Sequence, residues 1–575
     1  MLLLILVWLL TTASVLSLGA GLLVACRADA TPPKAAVLAV LGLMVASAVL
    51  AVWALALPLG HGYGAGLYLA SLLPLGARRV RRVVRAGFDW SVGYGIAAPA
   101  LALLMACALL KATGPTEVFD DAVGYLPIFR SMLDYGVIIG FGNLHPNFAY
   151  NSHWSLLGAF YSFEWLVGRP LYDINGWVAW LGAWYAFSFL PALWAGRVRG
   201  LYLLVVALPF FFFRNQMSGN STDLPLAIVS WVVLAEWLLG TDGRQPALGR
   251  LLFVALPVFA FTLKVTALSL LVLPLALLAE QRGRTRILTL AVGVGAAILF
   301  LAPWLARNVL MTGYLYFLVP KLDLLAIDWK MPLVVIDRLK AQVAGDIHHS
   351  PKRLADPAWW RAFLLEGLNL QNRLIVLLAF GSMAAGALAA ALGLGRLGRT
   401  QRRLRYLAFC AVQGIGVLFW FAAATEPRYG HAALTMASLG LLCWALARVP
   451  QPWLGYVGKA FVVGITGLMA VAALRSLAEF TPYTRQVLIY PAPYPEVEWR
   501  NEPGANFTAH WPYRLLTPLD DRLRFPATHT AGREKHPNCW CTPLPCIYRP
   551  QDLPLLEQRG PSLRDGFRYK RPPRD

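Results

Sequence analysis

Four carboxylates, Glu117, Asp120, Asp121 and Asp134, sit in the stretch from Glu117 to Trp154 with two His, three Asn and many aromatics, between strongly apolar blocks. A carboxylate at the end of an apolar run can take a proton from an incoming hydroxyl, or hold a divalent cation through oxygen ligands. The bland alternative for Asp120 or Asp121 is an N-cap on a helix from Ala122 to Leu133. A cap explains one Asp; the adjacent pair with Glu117 is more acid than a cap needs.

Further polar residues stand where apolar runs end or break. Asp223, in RNQMSGNSTDLPLA, opens a run and could cap it or act in a site. Lys264, in FTLKVTAL, separates two half-length runs, where an ammonium needs an anion, water or the headgroup layer. Arg307 and Asn308 follow a run in APWLARNVLMTGYLYF. Arg428 lies in TEPRYGH, beside Glu426 and His431, and could pair with Glu426 or bind an anion. His145, His153, His348 and His349 have no spacing that specifies a metal site. Cys539, Cys541 and Cys546 lie together near the C-terminus. A zinc half-site with His536 is one reading of them, and a disulfide between Cys539 and Cys546 is the expected one. The chain has no P-loop, no Gly-rich dinucleotide turn, no Ser/His/Asp signature and no metalloprotease helix.

The elements that must position these residues are membrane helices. Hydrophobic residues make up 58% of the chain and charged residues 14%, with a mean hydropathy of +0.56. Apolar runs at 2–25, 35–58, 60–77, 91–113, 175–196, 200–213, 222–240, 249–263, 266–280, 287–304, 372–394, 405–424, 430–448 and 456–474 predict about thirteen or fourteen crossings. The formal charge of +21 is concentrated in short connectors: Arg78 to Arg85, Arg197 and Arg199, Arg282 to Arg286, and Arg396 to Arg405. That distribution orients helices with their basic connectors inside, and argues against nucleic-acid binding. The chemistry-bearing residues then all fall outside, in loops 114–153 and 305–371, in short outer connectors, or at helix ends beside them. Residues 154–168 break the alternation and are expected to lie at, or dip into, the outer interface. Trp359 and Trp360 suit an interfacial position. Residues 1–475 thus form a transmembrane module. Residues 476–575, rich in Pro and Arg, form a small irregular or β-containing outer domain.

Several of these segments, in this order, resemble the GT-C class of polyprenyl-phosphate-sugar-dependent glycosyltransferases, which includes protein mannosyltransferases and the aminoarabinose transferase acting on lipid A. FDDAVGYLPIFRSMLDYG resembles the helix that carries the class's catalytic acid, with Asp121 four residues before Tyr125. NSTDLPLAIVSWVVLAEWLL is similar to the segment with a second outer acid, here Asp223. FTLKVTALSLLVLPLALL, PWLARNVLMTGYLYF and EPRYG resemble the Lys-separated helix pair, the Arg-Asn run and the late Arg-aromatic element. NLHPNFAYNSHW, EPRYG and CWCTPLPC are similar to a bacterial multi-pass membrane-protein family of the same layout and unassigned activity. The chain departs from the class by having Asp121-Ala122 where Asp-Glu is common, with its extra acid at Asp120.

The resemblance implies an all-α polytopic bundle in the bacterial inner membrane, with interfacial helices in the first outer loop and a periplasmic C-terminal domain. It implies an inverting hexosyl- or pentosyltransferase that moves a sugar from a polyprenyl-phosphate donor to a hydroxyl on an envelope glycan, lipid or protein. Asp121, or Asp120, is the expected general base. Lys264, Arg307 and Arg428 are candidates for the lipid phosphate, and Asp223 for the acceptor or a divalent cation (Mg or Mn). Tyr125, His145, Asn147, Asn151, Trp154 and Glu426 are candidates to shape the sugar or acceptor site. The rival readings are an O-antigen-type polymerase or ligase, which relies on outer Arg and His, and a lipid or glycan transporter, which keeps its charges near mid-membrane.

Overall fold

Long runs of Leu, Val and Ala without helix breakers fold as helices, and a computed structural model of the chain is mostly helical with little strand. It describes residues 1–88, 94–114, 120–196, 200–211, 214–239, 246–346, 356–366, 368, 370–391, 400–423, 426–446, 451–480, 497–515, 543–546 and 550–570. Among the described residues six helices are long and apolar enough to cross a membrane: Leu2–Ala25, Ala35–Ala56, Pro246–Leu263, Gly283–Thr312, Leu404–Ala422 and Gly455–Ala478. The other runs read from the sequence also fold as helices, several of them short or broken.

The first two helices cross closely because glycines meet backbone. A Cβ on Gly42 would lie 1.8 Å from the Val15 carbonyl oxygen, and one on Gly19 would lie 2.0 Å from that of Leu38. Small residues at such crossings let two helices gain dispersion contact where lipid supplies no hydrophobic drive.

Contacts at the helix ends sort the charges into two faces. At one, the Arg79 guanidinium donates to both oxygens of Asp29 (2.5 and 2.8 Å) and Arg405 pairs with Glu280 at 3.1 Å. Arg250 lies near Cys26 at this end, and Trp237 donates to the Arg405 carbonyl. The helices that begin or end there carry Asp223 and Lys264 at their opposite ends. Asp223 and Lys264 are therefore a helix length away from these basic connectors.

One sequence expectation changes, and two gain detail. The run expected to end at residue 304 continues as helix to Thr312. A wide turn at Ala297–Leu301 absorbs the hydrogen bond that Pro303 cannot make, and Gly313 (φ 83°) is the first residue suited to end the helix. Arg307 and Asn308 are thus inside a helix, and the second large loop starts after them. Within residues 154–168 the first half is enclosed, every residue of His153–Phe160 being buried between Leu126–Asp134 and Ala35–Ala56, while Leu166 in the short helix Glu164–Val167 is 45% exposed. Trp359 is buried and stacks on Phe363 (5.4 Å), while Trp360 stacks on Phe421 (5.5 Å). Both tryptophans serve a local aromatic core.

The described parts of the tail are two small antiparallel sheets, Val497–Pro503 with Thr508–Leu515 and Leu556–Gln558 with Phe567–Tyr569. The second is bound to the acid-bearing face. Phe567 N–H donates to the Ile139 carbonyl (3.0 Å), Asn143 Nδ2 donates to the Phe567 carbonyl (3.0 Å), and Arg568 pairs with Asp328 at 2.7 Å.

Candidate functional site

Asp120 and Asp121 enter a wide helical turn, Asp121–Tyr125, that leads into the helix Leu126–Asp134. The Asp120 side chain makes no capping hydrogen bond there. Both carboxylates instead reach other elements. Asp121 is fully buried; its two oxygens accept from the Asn220 backbone N–H (3.0 Å) and from Asn220 Nδ2 (3.2 Å). Asp120 turns the other way and pairs with Arg428 Nη1 at 2.7 Å, with about a third of each side chain open to solvent. Glu117 lies outside the described residues.

Asp223 is the first residue of the helix Asp223–Leu239. Its backbone N–H donates to Ser221 Oγ, and the same hydroxyl donates to Asp223 Oδ2, each at 3.1 Å. The other carboxylate oxygen pairs with Lys264, which sits in extended conformation at the break between Leu256–Leu263 and Val265–Leu271. The break follows from the sequence: a Lys between two apolar half-helices satisfies its charge only at their joint.

Tyr429 joins the two ion pairs. The Lys264 ammonium lies 4.2 Å from its ring centroid and the Arg428 guanidinium 4.9 Å, while Arg428 Nη2 donates to its hydroxyl at 3.1 Å. Tyr125 completes the cluster. Burial, then the carboxylates Asp120 and Asp223, holds its phenol well above the usual value, so it stays protonated and can donate. Beside Tyr429 lies a small cavity of about 20 Å³, lined by Leu226, Leu234, Leu270 and Val412 together with Ser230, Thr266, Ser269 and Gln413. The arrangement is two cations on an aromatic ring, with carboxylates beside them and a small cavity next to the ring.

The remaining sequence candidates fall around this cluster. Trp154 Nε1 donates to Asn175 Oδ1 (2.9 Å), and Asn175 Nδ2 donates to the carbonyls of Gln216 and Ser221. Trp154 therefore braces the loop that presents Asn220. Asn147 lies behind the wide turn, 3.6 Å from where a Gly124 Cβ would be. Its N–H donates to His145 Nδ1 (3.1 Å), and burial pushes that imidazole down to about 3, which keeps it neutral. Asn151 is a cross-link, donating to the Trp304 carbonyl (2.8 Å) and Asn308 Oδ1 (3.0 Å). The Glu426 carbonyl accepts from Trp420 Nε1 at 2.8 Å, and the Arg428 partner is Asp120, not Glu426. Arg307 is 1% exposed, inside its helix and apart from the Lys264–Tyr429–Arg428 cluster.

Among the described residues no three His, Cys, Asp or Glu side chains converge to hold a metal ion. Asp120, Asp121 and Asp223 are engaged separately by Arg428, Asn220 and Lys264, which does not fit a shared Mg or Mn. Cys546 is disulfide-bonded, while its expected partner Cys539, like His348 and His349, lies outside the described residues.

Sequence reasoning missed Asn220, Asn175 and Tyr429. Asn220 carried a signal, standing three residues before Asp223 in a polar run at a helix start. Tyr429 adjoins Arg428 but has no spacing that singles it out. Asn175 looks like an ordinary polar residue in an aromatic helix.

The chain belongs to a family described as a domain of unknown function (DUF8201), whose model matches residues 1–435 and so spans Asp120 to Arg428. Comparison with curated proteins and with solved structures gives no match.

Proposed function

We propose that this protein is a membrane glycosyltransferase of GT-C-like architecture that moves a sugar from a polyprenyl-phosphate donor to a hydroxyl acceptor at the periplasmic face of a bacterial inner membrane. The observation that carries the reading is the pair of cations, Lys264 and Arg428, on the Tyr429 ring, with the partly exposed Asp120 beside Arg428. A polyprenyl phosphate has the matching chemistry: an anionic head for Lys264 and Arg428, and a hydrocarbon chain that stays in the bilayer beside the bundle.

Asp120 is the better candidate for the base, although the class resemblance points first to Asp121. Asp121 has no exposed surface and both its oxygens are already hydrogen-bonded, so its role is to clamp the wide turn to the Asn220 loop. Asp120 is open and its partner is the cation that a phosphate would attract. When the donor phosphate draws Arg428 away, the Asp120 carboxylate leaves its ion pair and is free to accept a hydrogen bond from the acceptor hydroxyl. It then accepts the acceptor's hydroxyl proton as that oxygen attacks the anomeric carbon. The bond from the anomeric carbon to the phosphate oxygen breaks with its electron pair on phosphate, where Lys264 and Arg428 stabilise the charge. In-line attack inverts the anomeric centre.

Purified protein incubated with radiolabelled polyprenyl-phosphate sugars and envelope acceptors tests this, with Asp120→Asn and Asp121→Asn beside wild type. Transfer by wild type and its loss in Asp120→Asn, with unfolding temperature unchanged, is the expected result. The reading fails if no donor gives transfer, or if Asp120→Asn transfers as wild type does.

A further inference from the structure

The hairpin of Leu556–Gln558 with Phe567–Tyr569 is joined to the acid-bearing face by main chain as well as by charge. Phe567 N–H donates to the Ile139 carbonyl, and the Phe567 carbonyl accepts from Asn143 Nδ2, each at 3.0 Å, across 424 residues of chain. Two glycines at positive φ, Gly566 (90°) and Gly140 (60°), face each other over this seam. A Cβ on Gly566 would lie 2.0 Å from the Ile139 carbonyl oxygen, and one on Gly140 would lie 2.0 Å from that of Phe567. Backbones approach this closely only where both sides lack a side chain. Arginines pin the edges: Arg564 Nη2 donates to the Leu55 carbonyl at 3.0 Å, and Arg559 and Arg568 both pair with Asp328, at 3.1 and 2.7 Å. Asn143 Nδ2 also donates to the Trp329 carbonyl (3.0 Å), so one amide ties the hairpin to two loops.

The loop held at this seam backs the two acids. Phe141 stacks on Phe148 with ring centroids 4.6 Å apart, which joins the turn Phe141–Asn143 to the turn Pro146–Ala149. Asn147, in the second turn, has its Cβ 3.6 Å from the Cβ position of Gly124, inside the wide turn Asp121–Tyr125. The packing between has no slack: a Cβ on Gly142 would lie 2.6 Å from Met331 Sδ. Contacts therefore run unbroken from Phe567 to the turn that sends Asp120 and Asp121 in different directions. A wide helical turn is rare, and it persists where its surroundings hold it.

We propose that residues 556–570, which lie beyond the residues 1–435 matched by the family, are a strap that positions the acid turn. Asp120 keeps its place beside Arg428 because the hairpin fixes the loop against which the turn rests. The consequence for transfer rests on the function proposed above; the mechanical coupling does not.

The test is hydrogen exchange, read by mass spectrometry, on purified full-length protein in detergent: wild type beside Gly566→Ala, Gly140→Ala and Gly168→Ala. Gly168 is also at positive φ (77°), but nothing lies within 4 Å of its Cβ position, so it carries the conformational cost without the clash. Gly566→Ala and Gly140→Ala should each speed exchange across residues 120–134 by about tenfold or more, with Gln451–Phe480 unchanged as the sign of a folded protein. Gly168→Ala should not. Wild type in rising urea gives a second readout that needs no variant: peptides covering 139–149 and 566–570 should open together as one unit. Where a donor supports transfer, Gly566→Ala should lower its kcat by about tenfold or more and leave its KM near that of wild type. Exchange at 120–134 that ignores both seam variants, an equal effect from Gly168→Ala, separate opening of loop and hairpin, or an unchanged kcat beside raised exchange would each overturn the proposal. Coupled exchange without transfer from any donor supports the strap and overturns the proposed function alone.

Discussion

The segment Asp120–Phe160 and the helix Gln451–Phe480 are both rich in apolar residues, yet they treat their surroundings in opposite ways. In the first, Asp121, His145, Ser152 and His153 are buried among aromatic side chains and other helices. In the second, Leu468, Val471 and Leu474 are 58%, 56% and 66% exposed. A soluble protein would reverse this. In a bilayer, apolar side chains need no protein around them, while polar groups must find protein partners. Packing density therefore marks the polar end of this molecule, where the candidate site lies, and loosely packed apolar surface marks the part suited to lipid.

The comparison can be broken by substitution. The largest effect is expected at Asp120, where Asn should lower transfer by about 10²–10⁴-fold, the range for removing a general base, with no loss of stability. At Asp121 the same change should act differently. It sets an amide NH₂ among the Asn220 donors, so both unfolding temperature and activity should fall. A drop in activity alone at Asp121, with Asp120→Asn active, would exchange the two roles.

Next is a pH effect at Asp173, which accepts from Trp8 Nε1 at 2.5 Å. Burial raises its carboxyl from the ordinary 3.8 to about 7, against the opposing pull of that hydrogen bond. The folded state thus holds a proton that the unfolded chain has already lost. Stability should fall as pH rises from about 4 to about 7 and then level off, by up to roughly 4 kcal/mol. Asp173→Asn should remove that slope and be the more stable protein at pH 8. Unfolding curves at pH 5 and pH 8 decide it, and parallel behaviour of the two proteins would refute it.

Smaller effects separate the two regions by the sign of one change. A Cβ on Gly158 would sit 2.1 Å from the Phe129 ring, so Gly158→Ala should destabilise by about 1–3 kcal/mol. Gly464, in the open helix, has nothing within 4 Å of its Cβ position, and Gly464→Ala should stabilise that helix by about 0.5–1 kcal/mol. The smallest is Leu474→Ala on the open helix, expected within about 0.5 kcal/mol of wild type. A larger loss there, read from the unfolding midpoint, would mean that this face is covered by protein.

Much of the helical framework was legible because a membrane helix needs one local property, a long apolar run. The break at Lys264 was legible for the same reason, since one charge interrupts two half-length runs. The end of the helix Gly283–Thr312 was not, because Pro303 and Arg307 read as a terminus when the wide turn before them and Gly313 after them set the real one. In the candidate site, Asp223, Lys264 and Arg428 could be named from their types and positions. Their pairings could not.

The sequence by itself determined that polar chemistry gathers at one end of an apolar bundle, because charge and hydropathy are local and the bilayer reads them locally. Tertiary structure decided which groups meet. Asp120 and Arg428 are 308 residues apart and pair only because their elements pack side by side. The wide turn sends two adjacent acids in different directions, one to solvent and one to Asn220. Helix packing shuts Arg307 inside the bundle, while Arg428 stays partly open on Tyr429. Side-chain type sets what a residue can do; burial and partners, which depend on packing between distant segments, set what it is free to do.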